Sequence, residues 1–434
     1  AWPYEWGRQV ESTLGRRLDY LRGRGVGGSS AVNGGVALRA EPGDLEVFPE
    51  GWQWDDLLPC FRKLESDLDY GSAPWHGSEG PVSIVRWPKS EWTPLLTAFH
   101  EGCLAVGIPD CPDLNAPHTT GSGPIPMNRA GSRRISSAIS HLEPARSREN
   151  LAVRGDGHVA RVLFDSLRAT GVELLSGEKL YAEEVFVSAG VLESPMLLWR
   201  SGIGPPDALK ALGIHPLVEA PDVGAHWSDH VVVNFEMPID PALVPKGAPG
   251  LQTIVKTHVP RSGLANEINI TPWPRRNGDG GLDLVVSLSL QLPTGEGSIR
   301  LQSLEPETPP HIDWPFARFA ENIARMREGW RLTARITAES GIALDPDSPA
   351  RESERSDADL DAHITANHDA FYHGVGTCRM GTADDIGAVV DPRCAVRGTS
   401  GLHVVDASIV PCVPRTNTHI LTVAVAERAA ELLW

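Results

Sequence analysis

Two histidines near the end of the chain have the residue type and the surroundings that acid–base chemistry requires. His373 lies in the motif FYHGVGTCRMG, and His419 follows the polar loop PRTNT, where a helical pattern begins. A histidine whose pKa is about 6.5 can accept a proton near neutral pH, so two of them at loop ends suit one shared substrate. The chain holds 15 histidines, however, and a structural role is commoner, so spacing alone leaves both roles open.

The glycine-rich stretch GRGVGGSSAVNGG, residues 23–35, is the second feature with chemical potential. Glycine lets the backbone take positive φ angles and approach a ligand closely, since it has no Cβ. The free N–H groups of such a turn can hold a phosphate or the polar edge of a ring. Ser29 and Asn33 add a hydroxyl and an amide. A flexible loop without a ligand explains the glycines equally well, so other motifs have to support this interpretation.

Short apolar strands could place a ligand beside these groups. AEEVFVSAG, residues 182–190, predicts a strand that ends in Ser-Ala-Gly and leads into the helix LESPMLLWRSGIG. GLHVVDASIVP, residues 401–411, predicts another strand, which ends at Asp406, and alternation from residue 150 predicts paired strands. A strand, a small-residue turn and a helix start form the local geometry of a nucleotide-binding crossing, although any βα unit has it.

The rest of the chain predicts a second architectural unit and irregular connections. Alternating runs with Pro and Gly turns predict an antiparallel sheet over residues 233–300, and helical spacing predicts a long helix over residues 317–340 on that sheet. Residues 51–67 indicate a turn and then an amphipathic helix. We expect loops and short strands over residues 71–134, and a solvated connector over residues 341–360.

The bulk composition is typical of a folded protein with two or three domains. The chain has 434 residues, 41% hydrophobic and 22% charged, with a net charge of −17. That charge repels phosphate backbones and argues against nucleic acid or an anionic membrane as the main partner. No run of about 18 apolar residues predicts a membrane span. The six cysteines lack metal-binding spacing, so we expect buried thiols, and the composition favours a bacterial cytoplasmic enzyme.

Together these motifs are similar to those of the glucose–methanol–choline (GMC) oxidoreductases, FAD enzymes that oxidise alcohols. GRGVGGSSAVNGGVALRA resembles the first signature of the family throughout. GVLESPMLLWRSGIG resembles the second except at Val191, where the family has a small residue. ENLAVRGDGHVARVLF, APDVGAHWSDH, YHGVGTCRMG and the tail from VVDASIVP to ERAA follow in family order. The resemblance covers nearly the whole chain from residue 21.

The resemblance implies an α/β fold with two kinds of unit. One is an FAD-binding, Rossmann-like domain of the GMC/p-hydroxybenzoate hydroxylase type, and the other is a substrate domain whose antiparallel sheet is covered by helices. We expect residues 1–232 to form the mostly FAD-binding region, with cap loops at about 71–134. Residues 233–384 would form the substrate domain, and residues 385–434 would return to the FAD-binding domain. The C-terminal region of the family is expected at about 296–428.

For catalysis, His373 matches the family's catalytic histidine, which faces the flavin, and His419 matches its partner, which is His or Asn across the family. The resemblance implies oxidation of a small-molecule alcohol to an aldehyde or ketone by a choline dehydrogenase-like flavoprotein acting on CH–OH donors. His373 would take the hydroxyl proton while hydride passes to flavin N5, and His419 would orient the substrate oxygen. Oxygen, a quinone or another carrier would then reoxidise the flavin.

For the cofactor, the glycine-rich loop would follow the pyrophosphate, ribityl and isoalloxazine parts of FAD. Val159 would meet the adenine, residues 188–190 would lie near the AMP half, and Asp406 would lie beside the FAD chain. Some relatives attach FAD covalently through a histidine at the place of Val32, so we expect non-covalent FAD here. No metal is expected. The predicted cofactor residues are Arg24, Gly27, Gly28, Ser29, Asn33, Gly34, Val159, Ser188, Ala189, Gly190, Asp406, Ala407 and His419.

The start of the chain departs from the family pattern. The family opens with a strand–GxGxxG–helix unit that holds the FAD pyrophosphate, and no GxGxxG precedes residue 23. A βαβ unit needs roughly 30 residues or more, so we expect a chain truncated within its first domain that holds FAD poorly or not at all. Three functions stay open: an alcohol oxidase or dehydrogenase, a hydroxynitrile lyase on the same scaffold, and a non-catalytic binding protein or fragment.

Overall fold

The computed structural model describes residues 4–12, 15–278 and 280–434. Residues 1–3 and 13–14, part of the stretch predicted to belong to a truncated first domain, lie outside the described residues. The β-strands are β1 (Arg8–Ser12), β2 (Arg17–Tyr20), β3 (Glu65–Asp67), β4 (Val82–Val85), β5 (Gly121–Pro124), β6 (Met127–Ala130), β7 (Arg133–Arg134), β8 (Val159–Asp165), β9 (Arg168–Leu174), β10 (Lys179–Tyr181), β11 (Val185–Val187), β12 (Ile203–Gly204), β13 (Val218–Glu219), β14 (Val231–Ile239), β15 (Thr253–Thr257), β16 (Ile268–Arg276), β17 (Leu282–Leu290), β18 (Ser298–Arg300), β19 (His311–Trp314), β20 (Asp369–Ala370) and β21 (Leu402–Val404). The α-helices are α1 (Trp54–Leu64), α2 (Pro94–Ala105), α3 (Glu143–Ala145), α4 (Gly190–Arg200), α5 (Pro206–Ala211), α6 (Ala320–Ser340), α7 (Ser348–Glu354), α8 (Asp357–Asn367) and α9 (Thr418–Leu433).

Two parallel strands bring distant parts of the chain to one edge. β11 pairs with β21 in parallel, with Val185 opposite Leu402. Because the carboxyl ends of parallel strands meet at the same edge, residues 188–190 lie beside residues 406–407. α4 begins at Gly190, directly after this turn. The predicted strand, small-residue turn and helix are therefore confirmed.

An antiparallel sheet forms the second unit, with the strand order β20-β14-β17-β16-β15-β5. α6 packs across it, and Gly329 permits the close approach, since a Cβ there would lie 2.9 Å from Leu288 Cδ1. The predicted antiparallel sheet under a long helix is confirmed. β5 belongs to the region expected to form cap loops, so the sheet extends beyond the predicted residues 233–300. The exact domain boundaries stay predictions.

Residues 71–134 contain a regular helix, α2, where loops and short strands are predicted. The side chain of Thr93 accepts a hydrogen bond from the N–H of Leu96 at 3.3 Å, and Pro94 occupies the first helical position. α2 packs between α6 and the antiparallel sheet, so much of its surface is buried. A helix that is apolar on several sides lacks the polar face that makes a helix recognisable in sequence.

The prediction of a solvated connector over residues 341–360 is wrong in part. α7 and the start of α8 lie there, and both pack against α6. Ser356 begins α8 by accepting a hydrogen bond from the N–H of Asp359 at 3.1 Å. Leu360 and Ile364 are buried, although the surrounding residues are mostly charged. The burial of Leu360 and Ile364 thus stabilises this helix, although its charged residues made the sequence look like a solvated connector.

Three smaller observations complete the fold. β8, β9 and β10 form an antiparallel sheet beside α4, as predicted for the stretch from residue 150. All six cysteines are free, and Cys412 is exposed, unlike the buried thiols expected. Within the described residues, every helix is either too short or too polar to cross a bilayer.

Candidate active site

The pairing of β20 with β14 brings His373 and His230 together. Val231 opposes Ala370 in the antiparallel register, so His230, just before β14, meets the segment that follows β20. The N–H of Phe371 donates a hydrogen bond to the carbonyl oxygen of His230 at 3.3 Å. The two imidazole centroids are 5.0 Å apart, with ring planes at 81°. The edge of the sheet therefore determines which side chain His373 faces.

Both ring nitrogens of His373 lie within hydrogen-bonding distance of a polar side chain. Nδ1 is 2.9 Å from Nδ1 of His230, and Nε2 is 3.1 Å from Nδ2 of Asn417. On the far side of His230, Nε2 is 2.7 Å from the carbonyl oxygen of Pro414. The four groups form a continuous chain that starts and ends in the loop before α9.

Both imidazoles are neutral near neutral pH. Burial lowers the pKa of His230 to about 4. Burial also lowers the pKa of His373 well below 6.5, and the positive charge of Arg22 acts in the same direction, as does His230 whenever it is protonated. The guanidinium of Arg22 donates to the carbonyl oxygen of Tyr372 at 2.8 Å. A neutral imidazole is the form of histidine that can accept a proton.

Asp229 holds the backbone of the His373 segment. Its Oδ1 accepts from the N–H of His373 at 2.8 Å, and its Oδ2 accepts from the hydroxyl of Tyr20 at 2.6 Å. The Tyr20 oxygen in turn accepts from the N–H of Gly374 at 3.1 Å. A Cβ at Gly374 would lie 2.4 Å from Nε1 of Trp227, so this contact requires glycine. Burial raises the pKa of Asp229 to about 6.

The glycine-rich loop is held from behind by a turn around Ser137. The hydroxyls of Ser30 and Ser137 are 2.8 Å apart, and the N–H of Ser137 donates to Ser30 Oγ at 3.0 Å. The guanidinium of Arg134 donates to the carbonyl oxygens of Ala31 and Asn33. The loop therefore has a defined shape, and its predicted cofactor residues Gly27, Gly28, Ser29, Asn33 and Gly34 lie on one ordered segment.

His419 interacts electrostatically with Arg134, which holds the glycine-rich loop, whereas Asn417 lies against His373. Burial, together with the charges of His141 and Arg134, lowers the pKa of His419 to about 4. Asn417 occupies the N-cap position of α9, two residues earlier. The sequence predicts His419 as the partner of His373, but the hydrogen bond to Nε2 comes from Asn417. The catalytic role of His419 stays a prediction.

Asp406 ties the turn after β11 to the end of β21. Its Oδ2 accepts from the N–H of Gly190 at 2.8 Å and from the hydroxyl of Ser194 at 2.5 Å. The hydroxyl of Ser188 donates to the carbonyl oxygen of Val405 at 2.8 Å. The structure therefore brings five predicted cofactor residues together at this edge: Ser188, Ala189, Gly190, Asp406 and Ala407.

Trp6 links the two remaining predicted cofactor residues. The guanidinium carbon of Arg24 lies 4.8 Å from the centroid of the Trp6 ring. The ring of His158 meets the same indole edge-on at 5.7 Å, and Val159 is the next residue, the first of β8. Arg24 and the residue before Val159 thus contact one aromatic side chain.

The backbone around these residues leaves room for a ligand such as FAD. A Cβ built on Gly28 or Gly190 would meet nothing within 4 Å, and one on Gly34 would meet only Leu251 Cδ1, at 3.9 Å. Gly28 and Gly190 also have φ angles of 51° and 84°, which favour glycine. Open glycine backbone beside the start of α4 fits pyrophosphate and sugar groups. The residues present therefore fit FAD.

Sequence patterns did not single out the supporting residues Tyr20, Asp229 and His230. The last two end the motif APDVGAHWSDH, so an Asp-His pair directly before a strand was an available signal. Tyr20 stands in a short β-strand without any motif of its own. Its role depends on a hydrogen bond across 209 residues of sequence.

A separate acidic cluster surrounds another buried histidine, His76. Its Nδ1 is 2.8 Å from Oε1 of Glu65, and its Nε2 is 3.0 Å from Oδ2 of Asp113. Arg39 pairs with Glu65. Arg86 pairs with Asp67 and Asp113. Glu65, Asp67 and His76 lie close enough to hold a metal ion. Both nitrogens of His76 face carboxylates, so a metal ion bound there would have to displace a ring proton that these hydrogen bonds favour.

Comparisons with known proteins agree with the motifs. GMC oxidoreductase family models match residues 4–232 and residues 293–426. A GMC-type oxidoreductase in the thcA 5' region of Rhodococcus erythropolis is 35% identical over 442 residues, covering 99% of this chain and 86% of that protein. The oxygen-dependent choline dehydrogenase of Vibrio vulnificus is 31% identical, covering 100% of this chain and 84% of its own.

A solved structure shares the whole fold. The crystal structure of pyridoxine 4-oxidase from Mesorbium loti is 27% identical and superposes with a TM-score of 0.88, covering 99% of this chain and 88% of its own. Its likeness extends over both units described above. With the two family matches and the relatives above 30% identity, these findings show that the chain belongs to the GMC oxidoreductase family and has its FAD-binding fold.

Proposed function

We propose that this chain oxidises an alcohol to an aldehyde or ketone with FAD, and that His373 is the base. The observation that carries the proposal is a neutral imidazole whose Nε2 lies 3.1 Å from the amide of Asn417. Relatives named for choline and pyridoxine support an alcohol substrate, since both compounds carry hydroxyl groups. An alcohol needs such a base, because its carbon releases hydride readily only as the hydroxyl proton leaves.

Each residue has a defined task in this proposal. FAD, when bound, supplies the hydride acceptor. Nε2 of His373 takes the hydroxyl proton, and the amide of Asn417 donates a hydrogen bond to the substrate oxygen. His419 is kept as a second group that orients the substrate. Asp229 accepts a hydrogen bond from the backbone N–H of His373 and so binds the backbone of this residue, while the imidazole nitrogens face His230 and Asn417.

The same proposal assigns the cofactor contacts predicted from the motifs. Residues 23–35, which include Arg24, follow the pyrophosphate, ribityl and isoalloxazine parts. Residues 188–190 lie near the AMP half, Asp406 and Ala407 lie beside the FAD chain, and Val159 meets the adenine. Open backbone at the glycines supports this assignment.

We further propose that FAD is bound without a covalent link. Val32 stands where some relatives carry the linking histidine, and valine offers no nucleophile. Acid precipitation of the holoprotein is expected to leave all flavin in the supernatant. Flavin fluorescence that stays with the precipitated polypeptide would refute the proposal.

An anaerobic alcohol panel tests the function. Primary and secondary alcohols are added to the flavin-loaded protein without oxygen, and the flavin absorbance is followed. Bleaching by at least one alcohol, with the matching carbonyl product, is the expected result. Cyanide release from a cyanohydrin without flavin bleaching would instead identify a hydroxynitrile lyase. If neither flavin bleaching nor cyanide release is observed, the protein is a binding protein.

The electron acceptor and the location are parts of the same proposal. Oxygen, a quinone or another carrier takes the electrons, and oxygen uptake measured against dye reduction separates an oxidase from a dehydrogenase. We propose a cytoplasmic location, which cell fractionation with an antibody tests.

A further inference from the structure

We propose that His230 is a positioning residue that selects the tautomer of His373 in which Nδ1 carries the proton and Nε2 is unprotonated. This inference rests on the proposed function, because an unprotonated Nε2 matters only if His373 is the base. It follows from the directions in which the hydrogen bonds between Pro414 and Asn417 can run.

The direction of these hydrogen bonds is fixed first at Pro414. A backbone carbonyl oxygen only accepts hydrogen bonds, so Nε2 of His230, 2.7 Å away, has to donate. His230 is fully buried and neutral, so it carries one ring proton, and that proton is on Nε2. Nδ1 of His230 is therefore a lone-pair acceptor.

The direction of the next hydrogen bond, between His230 and His373, follows from this. Its Nδ1 lies 2.9 Å from the acceptor nitrogen of His230, so Nδ1 of His373 donates. The other tautomer would put two lone pairs face to face at this distance, inside the protein. Because the His373 ring is also neutral, Nε2 keeps its lone pair. Nε2 accepts from Nδ2 of Asn417, which orients that amide as well.

A neutral acceptor has a consequence that a carboxylate would not have. An aspartate at position 230 would select the same tautomer, but its negative charge would stabilise the protonated ring. His230 selects the tautomer without adding a charge. His373 can therefore stay unprotonated and still present the correct nitrogen.

The test uses two variants of matched shape. Asn and Leu have the same branching, but only Asn offers an oxygen near the place of the His230 Nδ1. Both variants lose the bond to Pro414 and the same ring volume, so the difference between H230N and H230L isolates the acceptor. Protein labelled with ¹⁵N-histidine reports the His373 tautomer by NMR, and a spectrum of H373Q assigns the signals.

We expect the wild type and H230N to show His373 protonated at Nδ1 only, and H230L to populate the form protonated at Nε2. Anaerobic flavin reduction should be at least about tenfold slower in H230L than in H230N, through kcat rather than KM. Nε2 protonation of His373 in the wild-type spectrum would overturn the inference, even if neither variant folds. Identical spectra and rates for H230N and H230L would overturn it too.

The two proposals fail separately. If H373A still reduces flavin with alcohol, the proposed base is wrong, while the wild-type spectrum still decides the tautomer. If the tautomer is wrong while H373A is inactive, His373 remains the base and His230 has only a packing role.

Discussion

His76 and His373 are both surrounded by protein, yet their surroundings select opposite charge states. His76 lies between Glu65 and Asp113, with an acceptor oxygen on each ring nitrogen. His373 has a neutral imidazole on one nitrogen and an amide on the other. Burial disfavours the charged form of both rings, but at His76 the hydrogen bonds that the ring donates to Asp113 and Glu65 outweigh burial and raise its pKa. At His373 burial prevails and lowers the pKa.

The difference separates a histidine that stabilises from one that can react. A ring with protons on both nitrogens, balanced by fixed carboxylates, joins chain segments but has no lone pair to offer. A neutral ring with one unprotonated nitrogen can take a proton from a ligand. The count of nearby acids therefore distinguishes the two sites better than burial does.

Removal of the His373 ring has the largest expected effect on chemistry. We expect H373A to slow anaerobic flavin reduction by alcohol by about 10²–10⁴-fold, because the base is lost while the cofactor contacts remain. Stopped-flow absorbance measures the rate, and flavin content checks binding. H311A is the control, since His311 is half-exposed and its ion-pair partner, Glu11, is half-exposed as well. An unimpaired rate in H373A would show that another group is the base.

Removal of the His76 ring should affect stability instead. We expect H76Q to lower the free energy of unfolding by about 3 kcal/mol, because Glu65, Asp67 and Asp113 lose a buried cation. Urea unfolding measures it, with R351A, which breaks an exposed pair with Asp345, as a control without measurable change. The comparison fails if H76Q is as stable as the wild type.

The pH dependence of stability sharpens the same contrast. The folded-state pKa of His76 is raised above its unfolded value, so its contribution is complete below about 6.5 and is lost as pH rises through the folded pKa. Wild type should therefore lose stability relative to H76Q over that interval. Parallel stability curves for the two proteins would mean that His76 is not charged in the folded state.

Asn417 and His419 have the smallest expected effects, and they identify the second catalytic group. We expect N417A to slow flavin reduction by about 10²-fold, because a donor aimed at the substrate oxygen is lost. H419A should slow it less and should weaken flavin binding, since His419 interacts with Arg134, which holds the glycine-rich loop. Rates under saturating alcohol and flavin titrations separate the two. A larger rate loss in H419A would restore the pairing predicted from sequence.

Much of the fold was predictable because its signals are local. The strand and turn before α4 combine apolar residues with a small-residue end, and α6 carries helical spacing over 21 residues. α2 was missed because it is apolar on several sides, and α8 because Leu360 and Ile364 stand among charges. In both cases tertiary burial, which a local pattern does not contain, determined the element.

The site was predictable only as far as motifs reach. His373 and the glycine-rich loop stand in recognisable motifs. Which residue contacts Nε2 of His373 depends on where α9 begins. Asn417 and His419 are only two positions apart, so a small error in the predicted helix start exchanges them. His230 reaches His373 across 143 residues of sequence through the register of β14 with β20. That register is a property of the folded sheet.

The most direct test of the account is the rate of anaerobic flavin reduction by one alcohol, measured from acidic to alkaline pH. The account predicts a constant rate around neutrality that falls only below 6.5, as His373 becomes protonated. The charged groups near His373 are Arg22 and Asp229, and His230 becomes charged only near its pKa of about 4. D229N controls for Asp229, whose pKa is about 6. If the rate falls as the pH is lowered and the midpoint of that fall lies above pH 6.5, a neutral His373 as the base would be contradicted.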